Sequence, residues 1–156
     1  MTNIREIRPE EIPVLEDFLY EAIFIPEGVP APPRAIVKDQ DLQVYVQDFG
    51  RKSDDRCLVA EMDGKIVGAV WTRIMDDYGH IDDQTPSLAI SLYKKYRSRG
   101  IGTQLMRRML ERLKADGYKR VSLSVQKDNY ALQMYRKVGF VPIADHGEEL
   151  LMVCRL

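Results

Sequence analysis

At 156 residues the chain is long enough for one domain with a sizeable core, and 45% hydrophobic with 30% charged residues is an ordinary globular composition. The net charge of −1 supplies no overall basic field for nucleic acid, and no apolar run reaches the ~18 residues of a membrane helix. Met1-Thr2-Asn3-Ile4-Arg5-Glu6 carries no apolar leader core, so the expectation is a cytoplasmic protein that engages neither nucleic acid nor membrane.

Asn3 to Ile7 alternates and reads as a short edge strand. Pro9-Glu10-Glu11 then opens a helix over Glu10 to Ile23, with Val14, Leu15, Phe18, Leu19 and Ala22 as its apolar stripe. Ile25 to Pro33 holds four prolines and a glycine, which forbid regular structure and leave a stiff loop with exposed apolar groups. A second helix is expected over Asp39 to Phe49, followed by a polar loop. Arg56 to Glu61 and Lys65 to Ile74 are strands joined by Asp63-Gly64, a hairpin turn. An acidic loop from Asp76 to Gln84 leads to a central strand over Leu88 to Leu92.

After that strand comes Arg97-Ser98-Arg99-Gly100-Ile101-Gly102-Thr103, and then a helix whose Ile101, Leu105, Met109 and Leu113 recur every four residues. Asp116-Gly117 ends this helix, Val121 to Val125 is a strand, Asn129 to Lys137 a short helix, and Phe140 to Ala144 with Leu150 to Arg155 a closing strand pair. The order is β-α-α-β-β-β-α-β-α-β-β: an α/β (α+β) mixture on a mixed central sheet, in a single domain spanning 1–156. Cys57 and Cys154 fall inside strands without partners at metal-ligand spacing and read as buried thiols. Two histidines make a His-rich metal site unexpected.

The strand–turn–helix junction carries chemistry. Gly100 and Gly102 allow close approach to the backbone, and the first helical turn presents unpaired N–H groups at the positive end of the helix dipole. That combination suits an anion, most simply a phosphate, and Arg97 and Arg99 add planar donors. A dinucleotide fingerprint would need glycine where Leu105 stands, and the Gly-Lys-Ser/Thr of a Walker loop is absent. Taken alone, the pattern also fits a solvated loop in which the glycines merely turn the chain.

The element order, the Arg97-x-x-Gly100-x-Gly102 turn after a strand, and the run Asn129-Tyr130-Ala131-Leu132-Gln133-Met134-Tyr135-Arg136-Lys137-Val138-Gly139-Phe140 together resemble the GNAT family of acetyl-CoA-dependent N-acetyltransferases. The resemblance implies the GNAT acyl-CoA N-acyltransferase fold, acetyl-CoA as cosubstrate and no metal. It implies a pyrophosphate held by backbone amides over Ser98, Arg99, Gly100, Ile101, Gly102 and Thr103, with the Arg97 and Arg99 side chains secondary. Ile90, Ser91 and Leu92 are implied to pair with the pantetheine arm, and Tyr135 to lie near the thioester sulfur as general acid. Asn129 is implied as a further coenzyme contact, one residue from the family's usual asparagine position, which Asp128 holds. Lys94 and Lys95 replace the proline and glutamate that often precede the turn. Ser87 stands where the family often carries a glutamate general base.

Acyl transfer to an amine needs the neutral nucleophile, yet an alkyl amine of pKa ~10.4 is only about one part in 2,500 unprotonated at pH 7. Glu27, His80, Asp82 and Asp83 are candidate proton acceptors, with Asp83 and Glu27 put forward beside Tyr135 as the catalytic set. Glu27, Asp76, Asp77, Asp82 and Asp83 together would make an acidic approach favouring a cationic small-molecule or peptide amine. A backbone N–H near Leu92 would stabilise the oxyanion. Trp71, Tyr20, Phe24 and Tyr45 are candidate acceptor walls, and Ile25 to Pro33 a lid or a contact of a homodimer. Transfer within a ternary complex is expected, because no cysteine falls in the motifs. The alternative is a non-catalytic coenzyme A binding or sensing protein on the same fold, favoured by Ser87.

Overall fold

Strand-forming runs rich in valine, isoleucine and leucine build a seven-stranded sheet, and the helices between them cover both its faces. The computed structural model describes residues 2–156. Its elements are β1 (Asn3–Glu6), α1 (Leu15–Ala22), α2 (Gln40–Gln43), β2 (Arg56–Met62), β3 (Lys65–Arg73), β4 (Ser87–Leu92), α3 (Ile101–Ala115), β5 (Arg120–Gln126), α4 (Ala131–Lys137), β6 (Val141–Asp145) and β7 (Glu149–Arg155). The sheet runs β1-β2-β3-β4-β5-β7-β6. Every neighbouring pair is antiparallel except β4–β5, so the expected mixed sheet and element order are both borne out.

Two cores sandwich the sheet. One face packs Leu88, Val121, Leu123 and Met152 against the α3 stripe Ile101, Leu105, Met109 and Leu113, none of which is more than 3% exposed in the helix. The other packs Val59, Ala69 and Trp71 against Leu15, Phe18 and Leu19 of α1. β4 alternates between them: Leu88, Ile90 and Leu92 join the α3 core, while Ala89 faces α1. The Asp63-Gly64 turn has φ of +51° and +77°, the doubly positive geometry expected of a tight hairpin.

The first two helices are shorter than the hydrophobic pattern predicts. Pro13 lacks the N–H that an α-helix needs, so Pro9–Val14 winds as a 3₁₀ segment and α1 starts only at Leu15. α2 stops at Gln43 because β3 side chains take the carbonyls that would continue it. Trp71 Nε1 donates to Tyr45 O at 3.1 Å, and Arg73 Nη1 donates to Val44 O at 3.1 Å and Gln47 O at 2.9 Å. Asp55 neutralises that guanidinium through two 3.1 Å bonds, in an ion pair whose side chains are 3% and 0% exposed. Tertiary hydrogen bonds thus override helical propensity here.

Candidate functional site

The site begins as a defect in the sheet. β4 and β5 are registered at a single pair, Ser87 opposite Ser122, and separate beyond it. The 3.1 Å bond from Tyr93 N–H to Val67 O sets the phase of the β3–β4 ladder, so Ala89 and Ser91, opposite Trp71 and Ala69, turn their peptide groups toward β3. Leu88, Ile90 and Leu92 therefore turn theirs toward β5. Pro86 is in the same phase, and its carbonyl accepts from Ser122 N–H at 3.0 Å. Past that point the Ile90 N–H and C=O and the Leu92 N–H face an open wedge, while Leu92 O accepts from Arg97 Nε at 3.0 Å.

The wedge opens onto a cleft of about 880 Å³ that ends at the turn before α3. Ser98 (φ +62°) and Gly100 (φ +83°) are both left-handed, which folds the turn's N–H groups inward. Gly100 caps α3 without a side-chain hydrogen bond, and the first intrahelical bond is Gln104 N–H to Gly100 O. The N–H groups of Ile101, Gly102 and Thr103 are thus left for a ligand. A Cβ on Gly102 would stand 3.3 Å from Met134 Sδ and 3.4 Å from Leu92 Cδ1, so the absent side chain is what keeps this corner open. No acidic residue occupies the first turn of α3 to compete with an anion.

Of the residues expected to hold a coenzyme, Ile90, Ser91, Leu92, Arg97, Ser98, Gly100, Gly102, Thr103, Asn129 and Tyr135 line this cleft. Their parts differ from the expectation in several places. Ser91 offers no strand edge, because its backbone faces β3 and its hydroxyl donates to Phe18 O at 2.6 Å. Arg97 is a structural tie: besides Leu92 O it reaches Glu21 O at 3.1 Å and lies 3.5 Å from Glu21 Oε1, binding the turn to α1. Arg99 turns out over the Tyr96 ring, 5.8 Å from its centre, and Ile101 is in the core with only its backbone at the turn. Asn129 Oδ1 accepts from Ala131 N–H at 2.9 Å and starts α4. Tyr135 is 9% exposed, packs 6.0 Å from Phe140, and has its hydroxyl pushed well above the usual phenol range by burial.

The loop from Ile25 to Pro33 lies over the cleft, to which it contributes Ile25, Val29 and Ala31 beside Phe24 and Tyr20. Tyr20 donates to Pro32 O at 2.7 Å and anchors it. Tyr130 and Met134, which the sequence reading did not single out for the cleft, complete the opposite wall; their i, i+4 spacing, which continues to the start of α4, was the available signal.

The expected proton acceptors are not brought to the cleft. Asp83 has a side chain 97% exposed, with His80 Nε2 3.9 Å away, and Glu27 is exposed at the outside of its loop. Asp82 caps its own turn and pairs with Arg120 at 2.7 Å, which hold its carboxyl down at about 2. Loop residues are free to point outward, and these do. Trp71 is likewise not a wall: it is fully buried in the α1-side core. Both cysteines are buried and free, and burial pushes their thiols up, away from reactivity. Among the described residues no group of three or more metal-ligating side chains forms, and no helix is long and apolar enough to cross a membrane.

Comparison with known proteins agrees with this architecture. Residues 19–140 match the model of the Acetyltransferase (GNAT) family. A Bacillus subtilis (strain 168) protein described as the uncharacterized N-acetyltransferase YobR is 35% identical over 74 residues, which are 47% of this chain and 28% of that protein. The chain thus matches less than a third of that relative's length. The PaiA N-acetyltransferase of Thermoplasma acidophilum, solved with coenzyme A, superposes with a TM-score of 0.74 at 19% identity over 100% of this chain and 99% of that one. YncA of Salmonella typhimurium, a putative acetyltransferase solved with acetyl-CoA, gives 0.71 at 16% identity over 100% and 94%. At these identities the structures speak for the fold alone, but a family match over most of the chain, which includes the wedge and the glycine turn, goes further: the chain belongs to the GNAT acetyltransferase family.

Proposed function

We propose that the protein is an acetyl-CoA-dependent N-acetyltransferase that acetylates a cationic primary amine, on a small molecule or a peptide, by direct attack within a ternary complex. The observation that carries this reading is the continuity of one cleft: an unpaired strand edge at Ile90 and Leu92 leads directly into the amide nest at Gly100 to Thr103. A linear ligand with amide groups at one end and a diphosphate at the other fits that sequence of donors and acceptors.

In this reading the N–H groups of Ile101, Gly102 and Thr103 hold the diphosphate, with Lys94 at the rim adding charge. Ile90 and Leu92 pair with the pantetheine amides as a missing strand would. The acetyl end then points along β4 toward its closed end at Ser87 and Ser122, past the Ile90 N–H, a donor for the oxyanion as it forms. Tyr135 hydrogen-bonds the departing sulfur. A phenol more basic than a thiol of pKa ~8.5 steadies the thiolate without giving up its proton outright.

Thermal shift with acetyl-CoA, coenzyme A and ATP tests the donor site, since a ligand at 100 times its Kd adds ~2.7 kcal/mol of stability. Stabilisation by both coenzymes and not by ATP is expected; no shift with either coenzyme overturns the reading. Thiol release over a panel of polyamines, amino acids, aminoglycosides and peptide amino termini then identifies the acceptor. Coenzyme binding without turnover of any amine would favour the second reading, a coenzyme A sensor, which Ser87 at the usual base position supports.

A further inference from the structure

The closed end of the wedge holds a carboxylate that no part of the donor site uses. Asp77 Oδ1 accepts from Ser87 Oγ at 2.8 Å, at the first residue of β4. The Tyr45 hydroxyl and the Gly79 N–H face the same carboxyl and favour its charged form, against the opposing push of burial. Asp77 forms no ion pair among the described residues. By contrast Asp55 is matched to Arg73, Asp82 to Arg120, Asp116 to Arg56 and Asp145 to Lys127. Burial holds the Asp77 carboxyl above the usual range, whereas Glu11, Glu16, Asp82, Asp116 and Asp145 are all displaced below it by cations and hydrogen-bond donors. A half-buried carboxylate with only neutral donors lacks a cation.

Its position is built rather than incidental. The loop carrying Asp77 is laid against the β5 backbone at Gly79, where a Cβ would come within 3.2 Å of Leu123 C and Ser124 N. Ser122 Oγ donates to Gly79 O at 2.6 Å and fixes the contact. Ser87 is buried and shares its β4 face with Ala89 and Ser91, the α1 side of the sheet, so the carboxylate it contacts lies at the closed end of the wedge on that face, beyond the residues that line the cleft. Ser87 to Ile90 is three residues, or roughly 10 Å of strand, a gap that the acetyl group, the incoming amine and one water would span between them. Asp77, the Tyr78 hydroxyl and Glu149 of β7 all bear on the Tyr45 hydroxyl at this corner, and His80, three residues further along the loop, donates its backbone N–H to Asp77 O at 3.2 Å. Glu149 is held by Ser124 Oγ and Gln126 Nε2, both at 3.0 Å.

We propose that Asp77 is the group that receives the acceptor ammonium and takes its proton, with Ser87 and Tyr45 positioning its carboxyl. The inference rests on the N-acetyltransferase reading above. The ammonium is the cation the carboxylate lacks. One N–H bond breaks and its proton passes to Asp77 Oδ. The freed amine forms a C–N bond to the acetyl carbon, and the C–S bond breaks with its electron pair on sulfur. The second proton, now on the cationic nitrogen, goes to that thiolate, and Asp77 returns its own proton to water. The balance is amide, thiol and one proton released.

The test uses the amine that the wild-type protein turns over best in the thiol-release panel. Asp77→Asn keeps the acceptor oxygen for Ser87, so the loop holds and acetyl-CoA binding, read by thermal shift, stays within about twofold. Its kcat/KM falls roughly a hundredfold at pH 7, the low end of the usual contribution of a general base, and the deficit shrinks toward pH 10 as the amine sheds its own proton. Ser87→Ala, a positioning change, costs roughly tenfold in kcat with a shifted pH profile. In parallel, ¹³C NMR of carboxyl-labelled, coenzyme-loaded protein, with the Asp77 resonance assigned by its loss in D77N, reads a titration above that of free aspartate at ~3.9. An Asp77→Asn protein within threefold of wild type at pH 7 overturns the inference while leaving the acetyltransferase reading intact. An ordinary Asp77 titration overturns it too. Coenzyme binding with no amine turned over by wild type defeats both.

Discussion

On the α3 side of the β4–β5 wedge, the groups offered to a ligand are almost all backbone: the Ile90 and Leu92 edge and the amides from Gly100 to Thr103. On the α1 side, the acceptor half proposed above is built from side chains: Asp77 from the β3–β4 loop with Ser87 from β4 and Tyr45 from beyond α2, near Glu149 of β7. A backbone surface recognises what is constant in a ligand and changes little with substitution. A side-chain surface can be rewritten residue by residue. The donor half is therefore expected to be common to the family and the acceptor half particular to this chain, with Tyr135 between them.

Removing the scaffold of the side-chain half should give the largest effect. The Arg73–Asp55 pair is fully enclosed and holds Val44 and Gln47, on either side of Tyr45. Arg73→Met leaves Asp55 buried without its partner, so urea denaturation is expected to show a loss of about 3–5 kcal/mol. A loss below about 1 kcal/mol would mean that packing and the Trp71 bond to Tyr45 O hold the segment without the ion pair. Next comes the corner of the backbone half. Gly102→Val places methyl groups where a Cβ already meets Met134 and Leu92 at 3.3–3.4 Å, and the excess projects into the amide nest. The expected outcome is a rise of roughly thirtyfold in KM for acetyl-CoA, about 2 kcal/mol, with little change in KM for the amine. Equal changes in both would dissolve the division between the halves.

Tyr135→Phe probes the boundary. The hydroxyl is expected to help the sulfur leave without binding the coenzyme, so kcat drops roughly tenfold while acetyl-CoA affinity stays within about twofold. Unchanged turnover would make Tyr135 a packing residue against Phe140.

These same halves differ in how far the sequence reveals them. The central strand, the turn and α3 follow from local signals: an apolar strand, glycines at Gly100 and Gly102, and a four-residue repeat of buried side chains, and Ile101 is indeed the first residue of α3; a strand edge left for pantetheine was implied only by the family resemblance. The element order could be read for the same reason. The acid side could not. The 2.8 Å contact between Asp77 and Ser87 bridges ten residues of loop, and Asp76, Asp77, Asp82 and Asp83 look alike in the sequence. Only folding sends Asp82 to Arg120, leaves Asp83 in solvent and turns Asp77 inward. α2 failed for a related reason: its continuation depends on carbonyls that Trp71 and Arg73, nearly 30 residues away, take for themselves.

The smallest effect is the sharpest on the donor half. Lys94 is the exposed cation at the cleft rim, and Arg97 beside it is engaged by Leu92 and Glu21. If the amides of Gly100 to Thr103 do most of the anion holding, Lys94 adds only a solvent-screened attraction, worth about 0.2–1 kcal/mol. Lys94→Ala should then weaken acetyl-CoA by no more than about fivefold at low salt. That difference should fade by 0.5 M salt, where screening acts over roughly 4–5 Å, while the remaining affinity, carried by dipoles at short range, persists. A tenfold loss that survives salt would place a side chain at the centre of the donor half, and the contrast between a backbone-built donor side and a side-chain-built acceptor side would no longer describe this protein.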